Sequence, residues 1–296
     1  MYKRLAIALS AALVIGLQVR ATPTGVAQFV SETKWQQSQD WFGGFSAIEV
    51  LNGGRNYIAL TDHGQLVQGK MLRKNQNLQS LQVASSLALH DSRGSTAKNQ
   101  RQDTEGLAMR RDGQMYISLE RTHQVRAYAR PGGTAMTIPR HADFVNLQDN
   151  GSLEALAIDD KNRLYTLPET PKRDARGIPL YRLENGTWSL PFFLSRSRRY
   201  QPVGADFGPD GKFYLLERKM TLFGFRSRIR SFVFDANAVV SEQTIVETAA
   251  GEHDNLEGLS VWKDDTGALR LTMVSDDNFM FFQRTEIVEY LIPGNA

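Results

Sequence analysis

Read along the chain, apolar residues fall in short runs of alternating or continuous hydrophobics broken every few residues by polar turns, with no sustained helical period. Five segments repeat one plan of an apolar stretch, a turn rich in Asp, Asn or Gly, and a second β-rich stretch ending in an acid. They are Phe45 to Asp62, Glu105 to Arg121, Glu154 to Glu169, Val203 to Arg218 and Glu257 to Asp276, with starts 60, 49, 49 and 54 residues apart. That spacing matches the blades of a β-propeller. Each segment reads as a hairpin, because Asn52-Gly53-Gly54, Asp112-Gly113 and Asp210-Gly211 tolerate positive φ between Val-, Ile-, Leu-, Tyr- and Phe-rich strands.

Each interval leaves room for two further strands, as in Arg228 to Phe234 and Thr244 to Thr248, which gives four strands per blade. The last unit has one clear strand left, Glu286 to Ile292. Its missing partner is expected to be Val26 to Thr33, closing the ring by pairing the two ends of the chain. The expectation is an all-β propeller of about five blades, with a sixth only if one hides in the polar loop Ser92 to Asp103.

The first residues follow a different pattern. Lys3 and Arg4 precede an apolar run from Leu5 to Leu17, and Val19-Arg20-Ala21 ends in a small residue, the pattern of a secretory signal. The expected organisation is a leader at 1–21 and one domain at 22–296, exported to a bacterial periplasm or medium, with no membrane span once the leader is cleaved. Without Lys3, Arg4 and Arg20 the 35 basic residues fall to 32, equal to the 32 acidic ones. The pI near 9.1 therefore gives no argument for nucleic acid. The chain has no cysteine, which excludes disulfides and thiolate chemistry.

Acids recur at fixed places in the repeats. Glu105, Glu154 and Glu257 start hairpins; Asp62, Glu120, Glu169, Glu217 and Asp276, followed by Asp277, end second strands. Antiparallel pairing brings both sets to one edge of each sheet, and so to one face of a propeller. So many carboxylates need counter-charge. Arg121, Arg218 and Arg284 supply some of it, and a hard cation such as Ca²⁺, which takes oxygen ligands, is the other candidate. The histidines lack metal-binding spacing, although His63 and His253 adjoin acidic positions; there is no G-x-S-x-G, Walker or G-x-G-x-x-G motif. The basic runs Arg196 to Arg199 and Arg226 to Arg230 are either solvated charge or phosphate contacts.

Several of these motifs together resemble the exported phytase-like domain proteins, a family described by an esterase-like activity. The resemblance lies in Gly43-Gly44-Phe45-Ser46, Thr61-Asp62-His63-Gly64, Asp103 to Ala108, Leu119-Glu120-Arg121, Leu216-Glu217-Arg218, Asp254 to Leu259, Ser275 to Phe279 and Gln283-Arg284-Thr285. It implies a propeller, an exported location and hydrolysis of phosphate esters. Two departures stand out: Ala155 replaces the glycine that follows Glu105 and Glu257, and the fourth repeat begins Val203-Gly204 without an acid. The resulting expectation is a Ca²⁺-dependent phosphoesterase. Glu120, Glu217 and Asp276 would be catalytic, Arg121, Arg218 and Arg284 would bind a small phosphate or ester ligand, and Asp62, Glu105, Glu257 and Asp277 would hold metal. The alternatives are a non-catalytic exported scaffold with an unknown protein partner, or a lactonase-like calcium esterase.

Overall fold

The computed structural model describes residues 24–96, 103–171, 176–197 and 199–294; the stretch expected as a leader, residues 97–102 of the polar loop and Arg198 lie outside them. The chain starts with two strands, β1 (Thr24–Gly25) and β2 (Gln28–Lys34). Five sheets then follow in sequence order. The first holds β3 (Phe45–Leu51), β4 (Asn56–Thr61), β5 (Gln65–Lys74) and β6 (Asn77–Ala88). The second holds β7 (Thr104–Met109), β8 (Met115–Leu119), β9 (Gln124–Tyr128) and β10 (Met136–Thr137). The third holds β11 (Leu153–Ile158), β12 (Leu164–Pro168), β13 (Ile178–Glu184) and β14 (Thr187–Leu194). The fourth holds β15 (Gln201–Phe207), β16 (Phe213–Thr221), β17 (Gly224–Asp235) and β18 (Ala238–Glu247). The fifth holds β19 (Asn255–Lys263), β20 (Leu269–Asp276) and β21 (Glu286–Ile292), with β2 on its outer edge.

This is the five-bladed propeller expected from the repeats. Its innermost strands β3, β7, β11, β15 and β19 pack side by side in a closed cycle. The predicted closure is present, since β2 pairs antiparallel with β21 from Gln28 opposite Leu291 to Lys34 opposite Glu286. The repeat pattern did not foresee β1, which extends the fourth sheet by pairing with β18, so the start of the chain covers the edges of two blades. Buried His253 secures the closure, with Nδ1 3.0 Å from Glu32 Oε2 on β2 and Nε2 2.8 Å from the Tyr290 hydroxyl on β21. Its place beside an acidic repeat thus serves closure. No helix of the described residues is long and apolar enough to cross a membrane.

Hydrophobic burial is divided among the seams. Five clusters each join two neighbouring blades, for example Ile48, Tyr57 and Val67 with Trp262 and Val274, or Leu180 and Phe192 with Phe213 and Phe232. A blade alone would leave both apolar faces in water, so the ring is stable only as a whole.

Every innermost hairpin carries a register shift at the same place: between Phe45 and Ala47, Thr104 and Leu107, Leu153 and Ala155, Pro202 and Gly204, and Leu256 and Gly258. The residue just after the bulge is Ala47, Gly106, Ala155, Gly204 or Gly258, always small. The reason is interstrand distance: a Cβ built on Gly204 would lie 2.3 Å from the Glu257 carbonyl oxygen in the next strand. Ala155 is therefore a variation within one steric rule. Gly204→Ala is expected to lower stability by about 1–3 kcal/mol through this backbone clash, as overpacking does, whereas Ala155→Gly keeps the inner strands in place; denaturant unfolding of both variants checks this.

Candidate functional site

The shared bulge defines corresponding positions in the five blades. The bulged residues are Ser46, Glu105, Glu154, Val203 and Glu257. Across the hairpin, Phe45, Thr104, Leu153, Pro202 and Leu256 pair with Thr61, Leu119, Pro168, Glu217 and Ser275. One residue further on stand Asp62, Glu120, Glu169, Arg218 and Asp276. Two tiers thus meet at one end of the channel and bring together seven carboxylates, those of Asp62, Glu105, Glu120, Glu154, Glu169, Glu257 and Asp276, with Arg218 as the guanidinium among them.

Arg218 spans the tiers. Its Nη1 lies 2.6 Å from Glu257 Oε1 and its Nη2 3.3 Å from Glu169 Oε1, and Nη1 also donates to Asn255 Oδ1. Asn255 in turn donates to Glu257 Oε1 at 2.9 Å and Asp276 Oδ2 at 3.4 Å. On the opposite side, Glu105, Glu120 and Glu154 bring one oxygen each to within 4.8 Å of one another. Glu120 Oε1 is oriented by the backbone N–H groups of Gly151 and Ser152. Among the described residues no donor or cation pairs with the Glu105 or Glu154 carboxylate, and Asp62 Oδ1 is buried without a hydrogen bond, His63 Nδ1 standing 3.4 Å away. Phe279 stacks on the His63 ring, 4.9 Å between centroids, and packs with Asp62 over Gly44, where a side chain would collide with both.

Burial without enough counter-charge raises the carboxyl pKa values. Desolvation, then like charge from Asp276 and Asp103, pushes Asp62 up to about 7. Burial raises Glu257 to about 8 in spite of Arg218, and Asp276 to about 6. Glu105 and Glu154, desolvated by burial and facing the other acids, are shifted well upward. A cluster with this donor set can take up protons or hold a hard cation through oxygen ligands.

The remaining expected residues lie elsewhere. Glu217 is one register step before Arg218, so it points to the other face of its strand. It is fully buried there between Arg228, with Nη2 2.7 Å from Oε2, and Arg230, with Nη2 2.6 Å from Oε1. A catalytic role for Glu217 does not fit that enclosure, and the same ion pairs remove Arg228 and Arg230 from the phosphate-binding run considered above. Arg121 pairs with Asp103 at 2.7 Å and is exposed at the rim. Arg284 pairs with Glu286 at 3.0 Å. The Asp277 carboxylate is occupied by Gly44 N, Phe279 N and Thr285 Oγ1 at 3.0, 3.1 and 2.9 Å, and so shapes a loop. Glu154, Glu169 and Asn255 belong in the site although the expected set omitted them. The recurrence at hairpin starts and strand ends already pointed to the two glutamates, and Asn255 lies in the Asp254 to Leu259 stretch that carries the family resemblance, although no role was expected of it there.

The family model Phytase-like, described as esterase-like activity of phytase, matches residues 40–279. No curated protein matches the chain. Solved structures with a similar fold include a gluconolactonase from Xanthomonas campestris, 11% identical over 92% of this chain and 99% of that one, TM-score 0.49. Others are the calcium-binding protein regucalcin from Agrobacterium tumefaciens, 9% identical over 86% and 78%, TM-score 0.46, and a PQQ-bound aldose sugar dehydrogenase from Streptomyces coelicolor, 12% identical over 91% and 100%, TM-score 0.46. At such identities the likeness concerns the fold alone.

Two outcomes are expected. A carboxyl whose folded pKa lies above its unfolded value keeps a proton that the unfolded chain has released, so stability falls as pH rises through that interval. In chelator, the melting temperature should therefore decline between about pH 4 and 8 in proportion to these raised groups, and thermal unfolding across pH measures it. Glu217→Gln takes the carboxylate from buried Arg228 and leaves Arg230 only Glu242, and should cost about 3–5 kcal/mol of unfolding free energy, read by denaturant titration.

Proposed function

From the premise that this chain belongs to the phytase-like family, matched over residues 40–279, we propose that it is an exported, Ca²⁺-dependent ester hydrolase. The carrying observation is the Glu105, Glu120 and Glu154 cluster. Three converging carboxylates, two of them without a pairing donor among the described residues, make a hard oxygen-donor set that fits a divalent cation. Those three side chains would hold it, with Asp62 adjoining. A bound divalent cation polarises an ester oxygen and lowers the pKa of water.

The protein's own groups supply the rest. Arg218 is fixed by Glu169 and Glu257 and presents its guanidinium to a developing oxyanion. Asp276, whose Oδ1 accepts from Asn278 N at 2.7 Å, has a pKa near 6 and is suited to accept a proton from water. The balance between phosphate and carboxylic esters follows from charge. One guanidinium among seven carboxylates tolerates a single anionic or neutral acyl group better than a polyphosphate, which favours the esterase or lactonase-like version of the activity.

Hydrolysis of p-nitrophenyl phosphate and p-nitrophenyl butyrate, with and without chelator, tests this directly. Turnover should require Ca²⁺ and prefer the carboxylic ester. Glu120→Gln or Glu154→Gln should weaken Ca²⁺, followed by its effect on melting temperature, by more than the about 10-fold that losing even an outer-shell partner costs. Stability and turnover both indifferent to Ca²⁺ would sink the proposal and leave a propeller that binds without catalysis.

A further inference from the structure

Beside Arg218 the funnel opens sideways into a cleft of about 680 Å³ between the β16–β17 hairpin and the loop from Asp277 to Thr285. Met220 and Phe225 form one wall, Met280 and Phe282 the other, and Arg218 lies at the polar end. The volume is that of a small-molecule site, in which the Met and Phe walls give an apolar side and Arg218, with Gln201, His253, Asp254, Asn278, Gln283 and Arg284, a polar one.

The two walls continue outward as apolar tips. Leu222 is 98% exposed, Phe223 81% and Phe281 99%, and Phe281 meets Phe282 edge to face with centroids 5.3 Å apart. Two-residue hairpin turns favour Asn and Gly, and nothing in the fold asks for Leu222-Phe223 at this one. Thr221 fixes the turn instead, its Oγ1 accepting from Phe223 N at 3.1 Å and donating to Gly224 O at 2.7 Å. The facing loop is held just as firmly. Asn278 and Phe279 take consecutive left-handed conformations at φ 46° and 51°, rare for a bulky side chain. Asp277 Oδ1 accepts from Phe279 N and Thr285 donates to Oδ2, so the strain sets Met280 to Phe282 against the hairpin. Both loops therefore hold apolar side chains in water, at a cost, on the two sides of one cleft.

We propose that this cleft binds the alkyl or aryl body of an amphiphilic substrate whose single ester or anionic head lies at Arg218. The inference rests on the hydrolytic reading of the acidic ring and adds the nature of the substrate. Continuity of the cleft with Arg218 selects the occupant: the cation at the inner end suits one acidic or acyl oxygen, and the methionine and phenylalanine walls suit a flexible chain. A polyanion meets little net positive charge there, because Arg218 is paired with Glu169 and Glu257, Arg284 with Glu286, and the Asp254 carboxylate also lines the cleft.

The test separates binding from turnover. Calorimetric titration of the full chain in Ca²⁺ with ethyl-, hexyl- and decylphosphonate, each below its micellar concentration, should give affinity rising by about two- to fourfold per methylene, the upper value being that of full burial. Phe282→Ser should flatten that rise, and Val145→Ser, exposed on the 3-10 helix Ala142–Asn146 outside the cleft lining, should not. Acetyl, hexanoyl and decanoyl p-nitrophenyl esters should show the same trend in kcat/KM. A chain-length trend in binding without hydrolysis of any ester supports the cleft and removes the hydrolytic reading. Hydrolysis with no chain-length trend in either assay overturns the cleft proposal. So does binding to phosphatidylcholine–phosphatidylglycerol vesicles that Leu222→Ser and Phe223→Ser abolish while phosphonate affinity ignores chain length, since the tips would then be a membrane foot.

Discussion

The five innermost strands approach one another so closely around the axis that the position after each bulge admits only glycine or alanine. That single steric limit sets the geometry of everything above it. It fixes the bulge at one height in every blade. The bulge in turn aligns the start of each inner strand with the end of its neighbour, so that residues from ten different strand ends arrive at the same level. A funnel of carboxylates is a direct product of this alignment, and apolar seams between blades supply the rigidity to hold it.

Charge then separates two kinds of acid within a few ångströms. Glu217 sits between two guanidinium groups in a dry seam, where its charge is neutralised and its oxygens are consumed by ion pairs. Glu105 and Glu154 have no such partners and meet mainly other acids. The first arrangement holds a blade together; the second leaves ligand capacity in place. Further along the inner strands, side chains accept backbone hydrogen bonds across the seams. There Asp206 accepts from Val261 N at 2.6 Å and Ser260 Oγ from Val50 N at 2.9 Å, each tying its strand to the next.

The architecture was legible because its signals are local and repeated. Hairpin turns, alternating strands and a unit period near 50 residues specify blades, and the lone final strand specifies a partner from the start of the chain. The site was legible only in part. Glu120-Arg121 and Glu217-Arg218 look identical as dipeptides, yet Glu120 follows the strand residue Leu119 that pairs with Thr104, whereas Glu217 itself pairs with Pro202. The fourth repeat is thus displaced by one residue, which exchanges glutamate for arginine at the ring and sends the glutamate to the opposite face. Only the pairing register reveals that exchange. The Gly151 and Ser152 amides carry no motif at all, and the motif around Asn255 does not announce that its amide joins Arg218 to Glu257 and Asp276; these roles come from where the strands place them.

The way β1 and β2 bridge the fourth and fifth blades bears on how the molecule comes into being. Gln28 pairs with Leu291, so the sheet that completes the circle joins strands that are far apart in sequence. During synthesis β2 waits for β21 to emerge, and such distant pairing is slow because loop closure precedes its reward. The circle consequently couples two blades in one late event: until β1 and β2 find β18 and β21, the outer edges of the fourth and fifth sheets both stay open.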